Sequence, residues 1–315
     1  MRLAVTGAGG FVGLVLCRTA EAEGHDVVRV VRRSILASPG LAIVGDLDGH
    51  TDWRTVLDGA DVVVHLAARV HVLRESAQDP LAAFRAVNVE GTRRLAEAAA
   101  TSGVRRLILV STIKVLGEST AARPFGPDDP PAPSGPYARS KLEAELAARE
   151  VSQRDGLEVV VVRPPLVHGP GVGGNLRRLM GLIRRGVPLP FAGVRNRRSL
   201  VGVENLAALL LQAAIAPQAA GQTLLVADQP ALSTPALVRL IAESMGRSPR
   251  LWSLSTGALT GMGRLTGRTT EVERLVGSLE IDDRQTRTLL EWAPPNTLED
   301  GIRMMVRTFD RERAR

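Results

Sequence analysis

Short apolar runs alternate with longer amphipathic segments through the first half of the chain. The runs end in polar or glycine-rich sequence, and the segments between them repeat apolar positions at helical spacing. This pattern predicts strands at Arg2–Thr6, Asp26–Val31, Leu41–Val44, Ala60–His65, Arg106–Ser111 and Leu157–Val162. It predicts helices at Phe11–Glu23, Pro80–Thr101 and Tyr137–Glu150. Such alternation indicates an α/β fold with a doubly wound parallel sheet.

The pattern changes after residue 163, where helices and irregular segments replace the regular alternation. Isolated strand signals remain near Arg198–Val203 and Thr223–Ala227, and an amphipathic helical segment covers Leu298–Phe309. Because no low-complexity linker divides the chain, we expect a smaller, mostly helical second unit that packs on the first as a cap. The expected boundaries are 1–163 for the sheet unit, with returning segments at about 196–228, and 164–195 with 229–315 for the cap.

Composition narrows the possible functions. With 44% hydrophobic residues and no apolar stretch long enough for a bilayer, we expect a globular protein without a membrane span. The net charge of +7 would suit nucleic acid, but the arginines are scattered and only 3% of residues are aromatic, so we expect no such partner. A single cysteine, Cys17, and a start without the layout of a secretory signal favour the cytoplasm. No spacing of His, Cys and Asp indicates a metal site.

A glycine-rich turn joins the first predicted strand to the first helix. Its glycines permit a tight turn, a close approach of the backbone to a pyrophosphate, and close packing of helix on strand. The helix N-terminus adds N–H donors and the positive end of its dipole. This context predicts a dinucleotide site of the Rossmann type. The residues expected to contact the cofactor are Gly7, Gly9, Gly10, Phe11, Val12 and Gly13.

The end of the second strand indicates which dinucleotide is bound. A site for NAD usually places a carboxylate there, whereas arginine accommodates the 2′-phosphate of NADP. Here the chain has Val31, Arg32 and Arg33, and a guanidinium pairs well with phosphate. We therefore predict NADP in preference to NAD, with solvated arginines as the alternative. Further cofactor contacts are expected at Asp46, Leu47, Leu66, Ala67 and Ala68.

The only tyrosine of the chain lies four residues before one of its two lysines. Tyr137 and Lys141 fall in a predicted helix, where residues four apart share a face. All other basic residues among the 40 are arginines except Lys114, so chance is a poor explanation for the pairing. We expect the ammonium to lower the pKa of the phenol, which would then exchange a proton with an alcohol near neutral pH. An exposed aromatic beside a solvated lysine is the alternative.

Four stretches carry a family resemblance. They are Thr6–Gly13, Asn88-Val89-Glu90-Gly91-Thr92, Val110-Ser111-Thr112 with Val115-Leu116-Gly117, and Tyr137-x-x-x-Lys141. Together they resemble the extended short-chain dehydrogenase/reductases, within these the nucleotide-sugar branch of UDP-glucose 4-epimerase and of reductases of UDP-linked 4-keto sugars. The resemblance implies an NAD(P)-binding Rossmann domain, a substrate-binding cap, and hydride transfer at C4 of a nucleotide-linked sugar, most often a UDP-sugar.

The resemblance also implies roles for individual residues. Tyr137 would be the acid/base, and Lys141 would lower its pKa and hold the nicotinamide ribose. Thr112, with Ser111 as an adjacent competitor, would hydrogen-bond the reacting sugar oxygen. Further cofactor positions would be Asn88, Val110, Pro164 and Val167, and further substrate positions would be Asn175, Arg198 and Arg274. His65 and His71 are expected to be structural, and His168 to line the nicotinamide pocket.

Departures from the family pattern leave the sugar open. Val115-Leu116-Gly117 replaces the usual Val-Tyr-Gly, and Pro165-Leu166 replaces an Asn-Pro of the galactose epimerase. Arg274 alone stands where many members have a longer arginine motif, and the register of Arg198 is uncertain by one because Arg197 precedes it.

Three interpretations remain open at this point. An epimerase would keep its cofactor and reduce the 4-keto sugar from the other face, and the family resemblance favours it. A reductase would take NADPH from solution, which Val31 and Arg32 favour. A regulator that senses NADP without turnover is the third, although it would not need Tyr137, Lys141 and Thr112. By analogy with the family, the helices at 80–101 and 137–150 are candidates for a homodimer contact.

Overall fold

Ten strands make up two sheets in the part of the chain that the structure, a computed structural model, describes: residues 1–33, 40–70, 79–267 and 269–314. Seven strands form a parallel sheet in the order β3-β2-β1-β4-β5-β6-β9. In chain order the strands are β1 Arg2–Thr6, β2 Asp26–Val31, β3 Leu41–Ile43, β4 Val62–His65, β5 Arg106–Val110, β6 Glu158–Arg163, β7 Leu166–His168, β8 Arg198–Gly202, β9 Thr223–Leu225 and β10 Asp228–Leu232.

Helices cover both faces of the parallel sheet. In chain order they are α1 Phe11–Ala22, α2 Arg54–Leu57, α3 Pro80–Arg85, α4 Gly91–Thr101, α5 Gly135–Asp155, α6 Gly174–Arg184, α7 Val203–Ile215, α8 Thr234–Ser244, α9 Thr256–Leu265, α10 Thr269–Val276, α11 Arg284–Leu290 and α12 Leu298–Ala314. Apolar residues of α1 and α7 form the core on one face, and those of α2, α4 and α5 form the core on the other. Because apolar layers lie above and below the middle of this sheet, β4 is buried along its whole length, and β1 and β5 are buried at all but one residue each. None of the described helices combines the length and apolarity needed to cross a membrane.

The strand order reverses between β1 and β4. From β1 the chain first builds outward through β2 and β3, and then returns to β4 on the other side. Thr6 and His65, the last residues of β1 and β4, are partners in the parallel register. In open α/β sheets, the loops that leave such a pair of strands in opposite directions form a crevice at the carboxyl edge, which is where ligands bind.

The second sheet has three strands in the order β10-β8-β7 and lies in the C-terminal half of the chain. It packs with α6, α8 and α12 around a separate apolar core that includes Met180, Ile241 and Phe309. Sequence patterning predicted neither β7 nor β10, because β7 has three residues directly after two prolines and β10 contains Pro230. The segment at 196–228 contributes β8 to this small sheet and β9 to the parallel sheet.

Candidate functional site

The glycine-rich turn leaves β1 at the point where the strand order reverses. Gly7 has a φ of 71°, and a Cβ built on it would lie 2.9 Å from the backbone nitrogen of Ala67. A Cβ on Gly13 would lie 2.2 Å from the carbonyl oxygen of Gly7. Both positions therefore require glycine, Gly7 for the approach of the loop after β4 and Gly13 for the packing of α1 on the turn. At Gly9 a Cβ would meet only a Val31 methyl, at 3.8 Å, so this position is open to a ligand.

The start of α1 offers backbone donors to an anion. Gly10 is the N-cap of α1 and has no side chain to satisfy the free N–H groups of the first turn. Phe11 and Val12 in that turn are half-buried against the core of the parallel sheet, and Phe11 also packs on the core of the cap. A helix start of this kind suits a pyrophosphate, because its N–H groups and its dipole both favour negative charge.

The end of β2 carries no carboxylate. Val31 occupies that point, and Arg32 and Arg33 follow it with side chains that are 69% and 80% exposed. Their guanidinium groups lie 3.5 and 3.6 Å from the carboxylate of Asp46, which is similarly exposed. Leu47, in contrast, packs against the apolar core beside α4. Arg32, Arg33 and Asp46 therefore present two cations and one carboxylate to solvent at this point.

His65 joins the loops that follow β1 and β4. Its imidazole is buried, with Nδ1 2.6 Å from Thr6 Oγ1 and Nε2 3.1 Å from Thr92 Oγ1. Burial first, and the charge of Lys141 second, lower the pKa of His65 to about 3, so the ring is neutral at physiological pH. Thr6 Oγ1 also accepts a hydrogen bond from the N–H of Ala67 at 3.2 Å. These contacts hold the loop after β1 close to the loop after β4, and His65 therefore has a structural role.

Tyr137 and Lys141 lie one turn apart near the start of α5. Pro136 stands in the first turn of this helix, where its missing N–H costs nothing. Tyr137 is half-buried, and its ring meets the ring of Phe84 edge-on, with 6.0 Å between centroids. Lys141 is only 2% exposed. The helix therefore brings a phenol and a buried ammonium to the same face, beside the loop that leaves β4.

Burial dominates the pKa values of this pair. It raises the pKa of Tyr137 to about 12, so the phenol is protonated at neutral pH. Burial also lowers the pKa of Lys141 to about 8, an effect that the nearby carboxylate of Glu145 opposes. Glu145 is itself ion-paired with Arg163 at 2.7 Å. The expected lowering of the Tyr137 pKa by Lys141 is therefore wrong for the protein alone, in which burial of the phenol raises the pKa.

Asn88 ties the loop after β4 to α5. It lies in a π-helical turn, Ala86–Glu90, that separates α3 from α4, so the single helix predicted for this region is three consecutive pieces. Its Oδ1 accepts from the N–H of Arg69 at 2.7 Å, and its Nδ2 donates to the carbonyl of Arg69 at 3.1 Å and to Ser140 Oγ at 2.9 Å. Ser140 Oγ in turn donates to the carbonyl of Tyr137 at 2.8 Å. π-Helical turns often mark functional sites, and this one holds the start of α5 in position.

Two hydroxyls follow β5 beside α5. The Ser111 hydroxyl is buried, and no other described group hydrogen-bonds it. Thr112 is 9% exposed, and its Oγ1 accepts a long hydrogen bond of 3.4 Å from the N–H of Lys114. The N–H of Ile113 donates to the carbonyl of Pro164 at 3.0 Å, which joins this loop to the turn after β6. Both hydroxyls can therefore hydrogen-bond a ligand at the carboxyl edge of the sheet.

Cations from two distant segments meet on the cap side. Arg198, the first residue of β8, is half-buried and donates to the carbonyl of Gly277 at 3.0 Å. Burial first, and the charge of Arg274 in part, lower the pKa of Arg198. Arg197 lies elsewhere, with its Nε 2.6 Å from Glu280. Arg198 and not Arg197 therefore lies beside Arg274, and the role of Arg198 stays a prediction.

Lys114 and Glu118 also belong to this cationic group, and sequence reasoning gave neither of them a role. Lys114 Nζ lies 2.9 Å from Glu118 Oε1, and Arg274 Nε lies 3.5 Å from Glu118 Oε2. The scarcity of lysine was the one signal in the sequence that singled out Lys114. Glu118 gave no signal, because an acidic residue in a loop is usually solvated.

The remaining candidate residues lie in different surroundings. Val110, at the end of β5, and Val167, in β7, are both half-buried. Asn175 is exposed in the first turn of α6. His168 is fully buried, with its Nε2 3.2 Å from Asp228 Oδ2. The expectation that His168 lines a pocket is therefore wrong, since it joins the small sheet to the cap core. His71 lies outside the described residues.

Comparisons with known proteins place these features in context. The sequence profile described as "NAD dependent epimerase/dehydratase family" matches residues 3–227. The chain is 38% identical over 309 residues to a UDP-glucose 4-epimerase of Vibrio cholerae, covering 97% of this chain and 94% of that protein.

Solved structures are similar over the same length. The dTDP-glucose 4,6-dehydratase of Streptomyces venezuelae, crystallised with NAD bound, is 25% identical, with a TM-score of 0.79 and coverage of 100% of this chain and 98% of that one. The UDP-glucuronic acid 4-epimerase of Bacillus cereus, in complex with NAD, shares the fold with a TM-score of 0.80, at 20% identity and 99% coverage of both chains.

Proposed function

Because the chain belongs to the NAD-dependent epimerase/dehydratase family, we propose that it inverts the configuration at C4 of a UDP-sugar. The observations that support this proposal are the places of Tyr137 and Lys141 one turn apart on α5 and of Thr112 in the loop that leaves β5. The similarity to the Vibrio cholerae UDP-glucose 4-epimerase over nearly the whole chain supports the same reaction and the same nucleotide.

The cofactor would be held by the turn after β1. Gly9 leaves room for a pyrophosphate at the start of α1, while Gly7 and Gly13 allow the close packing that forms the turn. The Lys141 ammonium would donate to the nicotinamide ribose. The residues present therefore fit a dinucleotide. When bound, NAD or NADP accepts hydride from a sugar carbon and returns it.

Tyr137 would move the matching proton. As a phenolate it would take the proton of the C4 hydroxyl, and as a phenol it would return a proton to the C4 oxygen. The charge of Lys141 would stabilise the phenolate, and Thr112 Oγ1 would hydrogen-bond the same sugar oxygen. The diphosphate would lie between Arg198 and Arg274, whose guanidinium groups suit a dianion.

A second candidate function is reduction of a 4-keto sugar by NADPH. Two observations favour it. The pKa of Tyr137, about 12, keeps the phenol protonated and ready to donate to a forming alkoxide. Val31 replaces the carboxylate expected for NAD, and exposed Arg32 and Arg33 suit the 2′-phosphate of NADP. We propose NADP as the preferred cofactor on the same ground.

One experiment separates the two functions. Purified protein is denatured to release any retained cofactor, and fresh protein is incubated with UDP-glucose and UDP-galactose with and without added NAD or NADP. Interconversion with no net change in cofactor oxidation state supports the epimerase. Absence of interconversion, together with consumption of NADPH by UDP-linked 4-keto sugars, supports the reductase. A tenfold preference for NAD over NADP in affinity contradicts the role given to Arg32 and Arg33.

A further inference from the structure

Lys114 lies two residues after Thr112, on the loop that leaves β5. Its backbone N–H donates to Thr112 Oγ1, and its ammonium contacts both oxygens of Glu118, at 2.9 and 3.1 Å. The two side chains are 20% and 31% exposed, so the pair is partly shielded from water. Because Lys114 donates its backbone N–H to Thr112, the function proposed above would place the pair at the sugar end of the site.

Two arginines from other segments complete a cluster of four charges. Arg274 Nε lies 3.5 Å from Glu118 Oε2, and the side chain of Arg274 is 31% exposed. Arg198 is close enough for its charge, with that of Arg274, to act on Lys114, whose pKa is lowered mainly by burial. Three cations thus share one carboxylate. The cluster carries a net charge of +2, which is equal in magnitude and opposite in sign to the charge of the diphosphate dianion of a nucleotide sugar.

Glu118 remains ionised inside this cluster. Burial raises the pKa of its carboxyl, but the hydrogen bond from Lys114 and the charges of Lys114 and Arg274 outweigh burial, and the pKa is lowered overall. Glu118 is four residues from Lys114 in the chain and is held at the ammonium by the fold. A carboxylate of the ligand could pair with Lys114 only by displacing Glu118. Because the chain already holds Glu118 beside the ammonium, the pairing of Lys114 with Glu118 is favoured.

From this arrangement we propose that Glu118 makes the sugar site select a neutral sugar over a hexuronate. This proposal deepens the proposed function and rests on it for the placement of the sugar. Arg198 and Arg274 balance the diphosphate, and Glu118 holds Lys114 as a hydrogen-bond donor toward the hydroxyls of the sugar. A sugar with a carboxylate at C6 would add a negative charge to the two of the diphosphate. This carboxylate would lie next to Glu118, and the two like charges would repel.

The test compares the binding of two ligands that differ only at C6. UDP-glucose and UDP-glucuronate are titrated by calorimetry into full-length protein saturated with NADP, and into NAD-saturated protein in parallel. We expect wild type to bind UDP-glucose about tenfold or more tightly than UDP-glucuronate. In Glu118→Gln the ratio should fall to about twofold or reverse, mainly because UDP-glucuronate binds better.

A matched control removes one carboxylate elsewhere. Glu312→Gln breaks the surface ion pair with Arg177, whose side chains are 38% and 41% exposed, on the C-terminal helix. It changes the net charge equally and should leave the binding ratio at the wild-type value. Lys114→Gln provides a second variant in case Glu118→Gln does not fold. It should weaken UDP-glucose several-fold and leave UDP-glucuronate weak, because Glu118 is still ionised beside Arg274.

The outcomes separate this proposal from the proposed function. Equal binding of both ligands by wild type, or an unchanged ratio in Glu118→Gln, overturns the role of Glu118 even if C4 is inverted. Selective binding that Glu118→Gln abolishes supports it even if no turnover of UDP-glucose is seen. Failure to bind either ligand overturns both.

Discussion

The ammonium of Lys141 is buried at a cost to stability. Moving a charged group from water to a buried position costs free energy, and burial lowers its pKa from 10.5 to about 8. Between these two values the unfolded chain binds a proton that the folded chain does not, so stability rises with pH in that window. Below pH 8 Lys141 is charged in both the folded and the unfolded state, so the full free-energy cost of burying its charge is present.

Lys141→Met should therefore stabilise the protein while it abolishes activity. We expect the free energy of unfolding at pH 7 to rise by about 1–3 kcal/mol, and the gain to shrink as the pH rises from about 8 toward 10.5. Urea denaturation at pH 7 and at pH 10 measures both. Arg139→Met, an exposed change on the same helix, is the control and should alter stability little. A variant less stable than wild type at pH 7 would contradict this account of Lys141.

Tyr137→Phe removes one oxygen atom and with it the proposed proton transfer. We expect kcat for a UDP-sugar to fall about 10²- to 10⁴-fold, the usual share of general acid–base catalysis. The affinity for the UDP-sugar, measured by thermal shift, should stay within about threefold of wild type, because the diphosphate contacts are unchanged. Undiminished turnover in Tyr137→Phe would show that another group moves the proton.

At the scale of elements, the turn between β1 and α1 offers a matched pair of substitutions. In Gly13→Ala the new Cβ would lie 2.2 Å from the carbonyl oxygen of Gly7, so the turn or the helix must shift. We expect a clear loss of thermal stability and of cofactor binding. In Gly9→Ala the Cβ meets only a methyl at 3.8 Å, so the fold should be retained while cofactor affinity falls. Equal melting temperatures of the two variants would argue against this geometry.

The same elements show what the sequence could predict. The strands of the parallel sheet and the turn after β1 follow from local signals, because a buried parallel strand is a continuous apolar run and a glycine turn has a fixed context. The placement of Tyr137 and Lys141 on one helix also follows from local signals, while their role in a site stays a prediction. The π-helical turn at 86–90, whose Asn88 side chain hydrogen-bonds Arg69, and the strand β10, which pairs with β8, gave no local signal in the sequence.

Other features depend on the tertiary structure alone. Glu118 lies beside Arg274 across more than a hundred residues of chain, and the pKa of Tyr137 depends on what covers the phenol. The spacing of Tyr137 and Lys141 in the sequence predicted an ammonium near the phenol but carried no information on how deeply the phenol is buried. For this reason the expected direction of the shift in the Tyr137 pKa was wrong. The choice between Arg197 and Arg198 likewise required the position of Glu280.

For the whole molecule, we expect a homodimer through α4 and α5. Leu146 on α5 is 58% exposed, an unusual position for a large apolar residue on a helix otherwise rich in charge. Leu146→Glu should convert a dimer to a monomer, measured by light scattering coupled to size-exclusion chromatography. Leu265→Glu, at a position of α9 that is even more exposed (90%), is the control and should leave the assembly unchanged. A wild-type monomer at micromolar concentration would contradict the expectation.

The central claim is that C4 of a UDP-sugar is inverted by hydride transfer, with Tyr137 moving only the hydroxyl proton. The most direct measurement is proton NMR of UDP-glucose incubated with the wild-type protein and its cofactor in D₂O. The account predicts UDP-galactose that keeps its original hydrogen at C4, because a hydride that leaves and returns within the site does not exchange with solvent. Deuterium at C4 of the product, or no change of configuration at all, would contradict it.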